Sequence, residues 1–309
     1  MNRCPITYEK CGAELYTLKG LRALSPVLRS LYALELSTEE LQIAAWQRAA
    51  FMPLPGSQPK LGAVLNVREK RFEMSGLHSR FILKPQHPVF TELPQNEDLT
   101  MRLAASVGID VPLHGMVYAS DGSLVYFIKR FDRNGEKNKF AVEDFGQLAG
   151  LRRADRYRFH MEGVAGIIKH HCSNPARDLE QLFLRVLFNY LVGNEDMHVK
   201  NYSLITRRDE VRLSPAYDLV NTTIAVPRVE EEIALSLRGM KTGLTREALV
   251  EYLGGDVCRL PTRVVHDTLR TLQLTVPLWF GIIDRSFLSE GRRLKYKALI
   301  QARKRVLWG

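Results

Sequence analysis

The stretch GNEDMHVKNYSL, residues 193–204, followed shortly by SPAYDL, residues 214–219, decides how this chain is read. The two segments place Asp196, Asn201 and Asp218 beside NYSLI and VRLSPA, short apolar runs with the look of strands. Taken singly, Asp and Asn crowd into turns because their side chains hydrogen-bond the nearby backbone. Taken together, oxygen donors at the two ends of a strand pair suit another task, which is holding a metal rigidly beside a phosphate. The run just before Gly193, DLEQLFLRVLFNYLVG, is apolar all round and reads as a buried helix able to anchor the loop from below.

Phosphoryl transfer asks a protein for little covalent chemistry: a carboxylate near the acceptor hydroxyl, oxygen ligands for magnesium and a cation on the phosphates. Asp196 and Asn201 stand five residues apart, the spacing of a kinase catalytic loop, and Asp218 adds the second metal-binding position. His198 and Lys200 fall inside the same loop, where either can approach the transferring phosphate. Upstream, such an enzyme needs a lysine on a strand and an acidic partner on the next helix. FILK ends in Lys84 and NEDLTMRLA offers Glu97, with Asp98 as a substitute because one sequence does not set the helix phase. A strand-terminal lysine taken alone is equally a snorkelling surface residue.

The loop MPLPGSQPKL stands where a phosphate-covering loop is expected, yet it is neither a glycine-rich kinase loop nor a Walker A motif. Pro53, Pro55 and Pro59 carry no N–H, which leaves Leu54, Gly56, Ser57, Gln58 and Lys60 to meet an anion.

Around these motifs the chain divides by its punctuation. Residues 1–133 are strand-rich: after a preparatory segment, STEE opens a helix to about Phe51, LGAVLNV, RFEM and SRFILK read as strands, and PQNEDLTMRLAASVG reads as a helix stopped by Gly108. VPLHGMVYA and SLVYFIKRF, joined by Asp121-Gly122, read as a hairpin. Beyond the polar connector RFDRNGEKNK, residues 134–309 are helix-rich, with helices expected around TREALVEYLG, PTRVVHDTLRTL and the basic C-terminus. A strand-rich lobe followed by a helical one suits a two-lobed nucleotide-binding enzyme of the α+β class.

Composition narrows the alternatives. With 309 residues, 45% of them apolar and 25% charged, the chain can bury two cores. Cys4, Cys11, Cys172 and Cys258 form no CxxC pair and no disulfide framework, so a reducing, cytoplasmic setting is expected. LQLTVPLWFGII, the most apolar stretch, is shorter than a membrane span, so no membrane association is expected. The net charge of +10 is largely local, since residues 285–309 carry eight Lys or Arg against one Glu, as a solvated basic helix would. No HExxH or cysteine pair completes a zinc site around His198, and no G-x-S-x-G elbow supports a serine hydrolase. His170 and His171 read as a helix end.

GSQPKL, FILKP, NEDLTMRLA, VPLHG, FIKRFDR, LVGNEDMHVKNYSL and SPAYDL, in that order, resemble the HipA-type serine/threonine kinases of bacterial toxin–antitoxin modules, especially the short HipT-like kinases. The resemblance implies a two-lobed protein-kinase-like fold of the HipA type that uses ATP and Mg2+, with Asp196 as base and Asn201 and Asp218 on magnesium. It implies that Lys84, oriented by Glu97, holds the phosphates, that Lys129, Arg130 and Phe131 meet adenine, and that His198 and Lys200 contact the nucleotide. It further implies a protein substrate of the aminoacyl-tRNA synthetase kind, phosphorylated on serine, and small HipS-like and HipB-like antitoxin partners, with DNA reached only through an antitoxin. One departure stands out: where the family carries an autophosphorylated serine, this chain has Pro53-Leu54-Pro55-Gly56, so Ser57 is the displaced candidate acceptor. Two other readings remain open: a nucleotide-binding scaffold of weak activity acting with an antitoxin on operator DNA, and a kinase of small molecules.

Overall fold

A computed structural model describes residues 2–51, 58–76, 78–135, 138–226 and 230–309. The chain splits into two compact units, one of Met1–Leu99, Pro112–Asn138 and Arg285–Leu288, the other of Thr100–Val111, Lys139–Asp284 and Ser289–Gly309.

The first unit begins with the ribbon β1 (Asn2–Arg3) and β2 (Lys10–Gly12), then helices α1 (Leu18–Leu24) and α2 (Thr38–Phe51). Ser37 and Glu40 cap α2 reciprocally, Ser37 N donating to Glu40 Oε2 at 2.8 Å and Glu40 N to Ser37 Oγ at 3.3 Å, as the STEE signature predicts. An antiparallel sheet follows, built of β3 (Leu61–Asn66), β4 (Arg71–Met74), β5 (Phe81–Lys84), β6 (His114–Tyr118) and β7 (Leu124–Lys129) in the order β4-β3-β5-β7-β6. Helix α3 (Leu93–Ser106) connects β5 to β6. The β6–β7 turn uses Gly122 at φ +79°, a conformation glycine adopts without a Cβ penalty.

Phe72, Phe81 and Phe127 meet ring to ring, with centroids 5.1 and 5.6 Å apart for the two pairs made by Phe72. The opening residues, read above as preparatory, are part of this core: Cys4, Ile6, Leu21, Leu28 and Leu34 are buried with Leu61, Leu83 and Phe127. They come from turns and a seven-residue helix, where no period of 2 or 3.6 announces which face is inside.

The ribbon β8 (Arg133–Asn134) and β9 (Asn138–Lys139) lies in the polar connector. In the second unit, β10 (Ala141–Asp144), β11 (Ser203–Arg207) and β12 (Glu210–Leu213) form an antiparallel sheet in that order. The sequence announces the last two; β10 reads AVED, too short and polar to register. The helices are α4 (Phe145–Leu148), α5 (Met161–His171), α6 (Pro175–Val192), α7 (Thr222–Ala225), a π-helix over Glu247–Val257, α8 (Thr262–Asp284) and α9 (Glu290–Trp308).

Helix α6 is the expected buried helix. Asn174 caps it, Pro175 opens it, every residue from Leu182 to Val192 is buried, and Gly193 ends it in the left-handed conformation. His170 and His171 occupy the last turn of α5. Helix α8 continues through Pro277 to Asp284, well past the PTRVVHDTLRTL segment where the sequence pattern places it. Helix α9 departs from the expected solvated basic helix by burying Tyr296, Ile300, Arg303 and Leu307, one stripe at helical spacing. Among the described residues, no helix is long and apolar enough to cross a membrane.

Candidate active site

In the first unit, β5 delivers Lys84 opposite Tyr126 of β7. Lys84 Nζ donates to Glu97 Oε1 at 2.6 Å, with the two side chains 4% and 0% exposed, and lies 5.6 Å from the Tyr126 ring centroid. Stripping two charges of water is costly unless each finds the other, so this lysine is held as a fixed cation and is not a snorkelling surface residue. The helix phase left open by the sequence resolves with Glu97 on Lys84, while Asp98 Oδ1 sits 2.9 Å from Nδ1 of His114 on β6. Asn96, Glu97, Asp98 and Thr100 are all fully buried together with Leu99 and Met101, so this stretch of α3 is enclosed on every side.

After β7, Lys129 is exposed and Phe131 half-buried. Arg130 grips Asp132 through two bonds, Nε to Oδ1 at 2.9 Å and Nη2 to Oδ2 at 2.7 Å, and donates to Ser79 Oγ at 3.0 Å. Burial pushes the Asp132 carboxyl up, but the paired Arg130 guanidinium outweighs it and the net shift is downward. Gln58 and Lys60 are partly buried at the start of the sheet. Gly56 and Ser57, and with them the candidate acceptor hydroxyl, lie outside the described residues.

In the second unit, Gly193 releases the chain into the loop that carries Asp196. A short turn over Val199–Asn201 then folds the loop back, and Asn201 Nδ2 donates to the Asp196 carbonyl at 2.8 Å. That bond closes the Asp-to-Asn spacing seen in the sequence. It also uses the amide NH2, so the carbonyl oxygen is the atom Asn201 offers to a ligand. Asp218 sits at φ +54°, a left-handed conformation that a non-glycine residue adopts at a cost and that recurs where function requires it. His198 is buried, which lowers its pKa, while the nearby carboxylates of Asp196 and Asp218 act in the opposite sense. Lys200 Nζ donates to Asp144 Oδ2 at 2.9 Å, and Asp144 also caps α4 by accepting from Gln147 N at 2.9 Å.

Sequence reasoning missed three participants. Tyr157, from a turn of its own, donates its hydroxyl to Asp196 Oδ1. Asp144 holds Lys200, and His114 holds Asp98. All three contacts span long stretches of chain, and no local pattern signals them.

Asn201 and Asp218 offer hard oxygen donors, the kind magnesium takes when phosphates and water complete its shell. Among the described residues no group of three or more His, Cys, Asp or Glu is arranged to hold a metal. A nucleotide-borne magnesium needs only one or two protein ligands, so the donor pair fits that role.

An antiparallel sheet lobe with a buried lysine–glutamate pair, together with a helical unit carrying an Asp–Asn loop, defines a protein-kinase-like α+β fold. The chain belongs to the family of HipA-like C-terminal domains, whose model matches residues 52–277. It is 28% identical over 265 residues to a Haemophilus influenzae protein, covering 78% of this chain and 75% of that one. It is 28% identical over 256 residues to the serine/threonine-protein kinase toxin HipA of Shewanella oneidensis, covering 75% of this chain and 58% of that protein. The chain spans 75% of the length of one of these curated relatives and 48%, 60% and 58% of three others. Among solved structures, it is similar in fold to HipA in the complex of HipA, HipB and operator DNA from the Shewanella oneidensis toxin–antitoxin system. The TM-score is 0.69 at 23% identity, covering 92% of this chain and 74% of that one. The Helicobacter pylori proinflammatory kinase CtkA follows with a TM-score of 0.53 at 15% identity, covering 73% of this chain and 86% of that one.

Proposed function

We propose that this chain is an ATP- and Mg2+-dependent serine/threonine protein kinase and the toxin of a toxin–antitoxin module, with functional lobes at residues 1–133 and 134–309. The observation that carries the reading is the catalytic loop: Asn201 closes back on Asp196, while the left-handed Asp218 lies within electrostatic reach of His198 between them in the chain. In this reading Asp196 accepts the acceptor's hydroxyl proton, and Asn201 and Asp218 hold magnesium. Lys84, fixed by Glu97, meets the nucleotide phosphates, aided by Gln58, Lys60 and the backbone of Gly56 and Ser57. Lys129, Arg130 and Phe131 border adenine. Magnesium supplies neutralisation of phosphate charge; the side chains supply position.

His198 and Lys200 take supporting roles at the phosphates, and Lys200 must exchange Asp144 for phosphate to do so. The family resemblance supports a seryl acceptor on an aminoacyl-tRNA synthetase. The complex of the Shewanella relative with HipB and operator DNA supports a small HipB-like antitoxin as partner, with DNA reached through it; the family resemblance adds a HipS-like protein.

Transfer of label from γ-labelled ATP into a bacterial lysate tests the reading, comparing the native chain with Asp196→Asn and Asp218→Asn. A labelled protein band that vanishes in both variants is the expected result. Labelling that survives Asp196→Asn, or ATP binding with no transfer, favours the scaffold; label appearing only in small molecules moves the acceptor to that class.

A further inference from the structure

We infer that Tyr157 is a positioning residue for the catalytic carboxylate, its hydroxyl holding one oxygen of Asp196 so that the other faces the acceptor hydroxyl. The inference rests on the kinase reading above and extends it to a residue outside the catalytic loop.

Tyr157 belongs to LRRADRYRF, a segment with no sequence link to the loop it touches. A short turn over Arg153–Asp155 is clamped by the Asp155 carboxylate, which accepts from Arg152 Nε at 2.9 Å and Arg158 Nη1 at 3.3 Å. The backbone then ties the turn to the catalytic loop, Val199 N donating to Arg156 O at 3.4 Å. The Tyr157 ring stands edge-on to His198, with centroids 4.9 Å apart at 81°, and the Arg156 guanidinium carbon lies 4.8 Å from the ring centroid. From that fixed ring the hydroxyl donates to Asp196 Oδ1. The phenol is pushed up to about 12 by burial and then by its bond to Asp196, so it keeps its proton at neutral pH and acts as a donor.

The loop itself holds the Asp196 backbone: Asp196 N donates to Asn194 Oδ1 at 3.3 Å, and the Asp196 carbonyl accepts from Asn201 Nδ2 and from His198 N, each at 2.8 Å. The carboxylate still has its side-chain torsions, and among the described residues the Tyr157 hydroxyl bonds one of its oxygens. In the transfer step the acceptor oxygen bonds to the γ-phosphorus as its proton passes to Asp196, and the bond from the γ-phosphorus to the β–γ bridging oxygen breaks, ADP leaving with the electron pair. A base misaimed by an ångström slows such a step by orders of magnitude without altering how the nucleotide binds.

The test compares Tyr157→Phe, which keeps the ring contacts with His198 and Arg156, with Tyr157→Leu, which loses them. The readouts are the initial rate of label transfer from ATP into the lysate acceptor, the half-saturating ATP concentration and the melting temperature. The expected result is a rate about tenfold lower in Tyr157→Phe, at an unchanged half-saturating ATP concentration and unchanged melting temperature. A Phe variant at the native rate with a slow Leu variant assigns Tyr157 to packing and overturns the inference. So does a faster Phe variant, which makes the hydroxyl an obstruction, or a change confined to half-saturating ATP. Absence of labelling by the native chain defeats the kinase reading and this inference with it, whereas native labelling with an indifferent Phe variant defeats the inference alone.

Discussion

At Lys84 and Glu97 two opposite charges lie 2.6 Å apart almost out of water, so removing either one strands the other. Glu97→Gln is expected to destabilise the fold by about 3 kcal/mol, read as a lower urea midpoint, and Lys84→Met combined with Glu97→Gln to recover part of that loss. His198 sets a pH dependence. Burial depresses its folded pKa below 6.5, so below that pH the unfolded chain binds more protons than the folded one. The contribution to stability is therefore complete above pH 6.5 and lost as pH falls through the folded value. Urea midpoints at pH 7.5 and 5.5 should differ in the native chain, and His198→Gln should remove part of that difference. The spacing of Asp196 and Asn201 by itself suits a turn as well as a site; the structure shows that Asn201 Nδ2 bonds the Asp196 carbonyl and closes that short stretch of chain.

Helix α9 shows how an element supports a loop that lies far before it in the chain. Its Leu299 packs so close to Gly193 that a Cβ there would come within 2.4 Å of Cδ2, and Gly193 holds φ +67°. Arg303 reaches Glu195 Oε1 at 3.6 Å and Glu232 Oε1 at 3.1 Å, with its guanidinium 4.5 Å from the centre of the Tyr190 ring. Burial raises the Glu195 carboxyl, offset in part by the Thr222 and Thr223 hydroxyls and by Arg303. Arg303→Met should therefore cost about 3 kcal/mol and lower the melting temperature, with Glu195→Gln restoring much of it. Gly193→Ala should also destabilise, by about 2 kcal/mol, from left-handed strain and the blocked approach of Leu299. In the sequence α9 is a string of basic residues; its buried stripe becomes visible once Tyr296, Ile300, Arg303 and Leu307 have a surface to meet.

For the molecule as a whole, the proposed kinase reading requires metal and nucleotide to act together. In that reading Asn201 and Asp218 are too few ligands to retain magnesium without phosphate oxygens. Magnesium alone should leave the melting temperature within about 1 °C, while magnesium with a non-hydrolysable ATP analogue at a hundredfold excess over its dissociation constant should stabilise the fold by about 2.7 kcal/mol. A large shift with magnesium alone would point to a different metal site. The sequence by itself determined the order of strands and helices through β3 to β7 and the buried α6 with its terminal glycine, because alternation, caps and short spacings are local properties of the chain. The tertiary structure alone decided that residues before α2 complete a core, that β10 joins a sheet, that Glu97 and not Asp98 meets Lys84, and that Tyr157 reaches Asp196 across 39 residues. Each of these depends on which distant segments the fold brings together, and a side chain's hydrogen-bonding capacity does not say which distant partner will satisfy it.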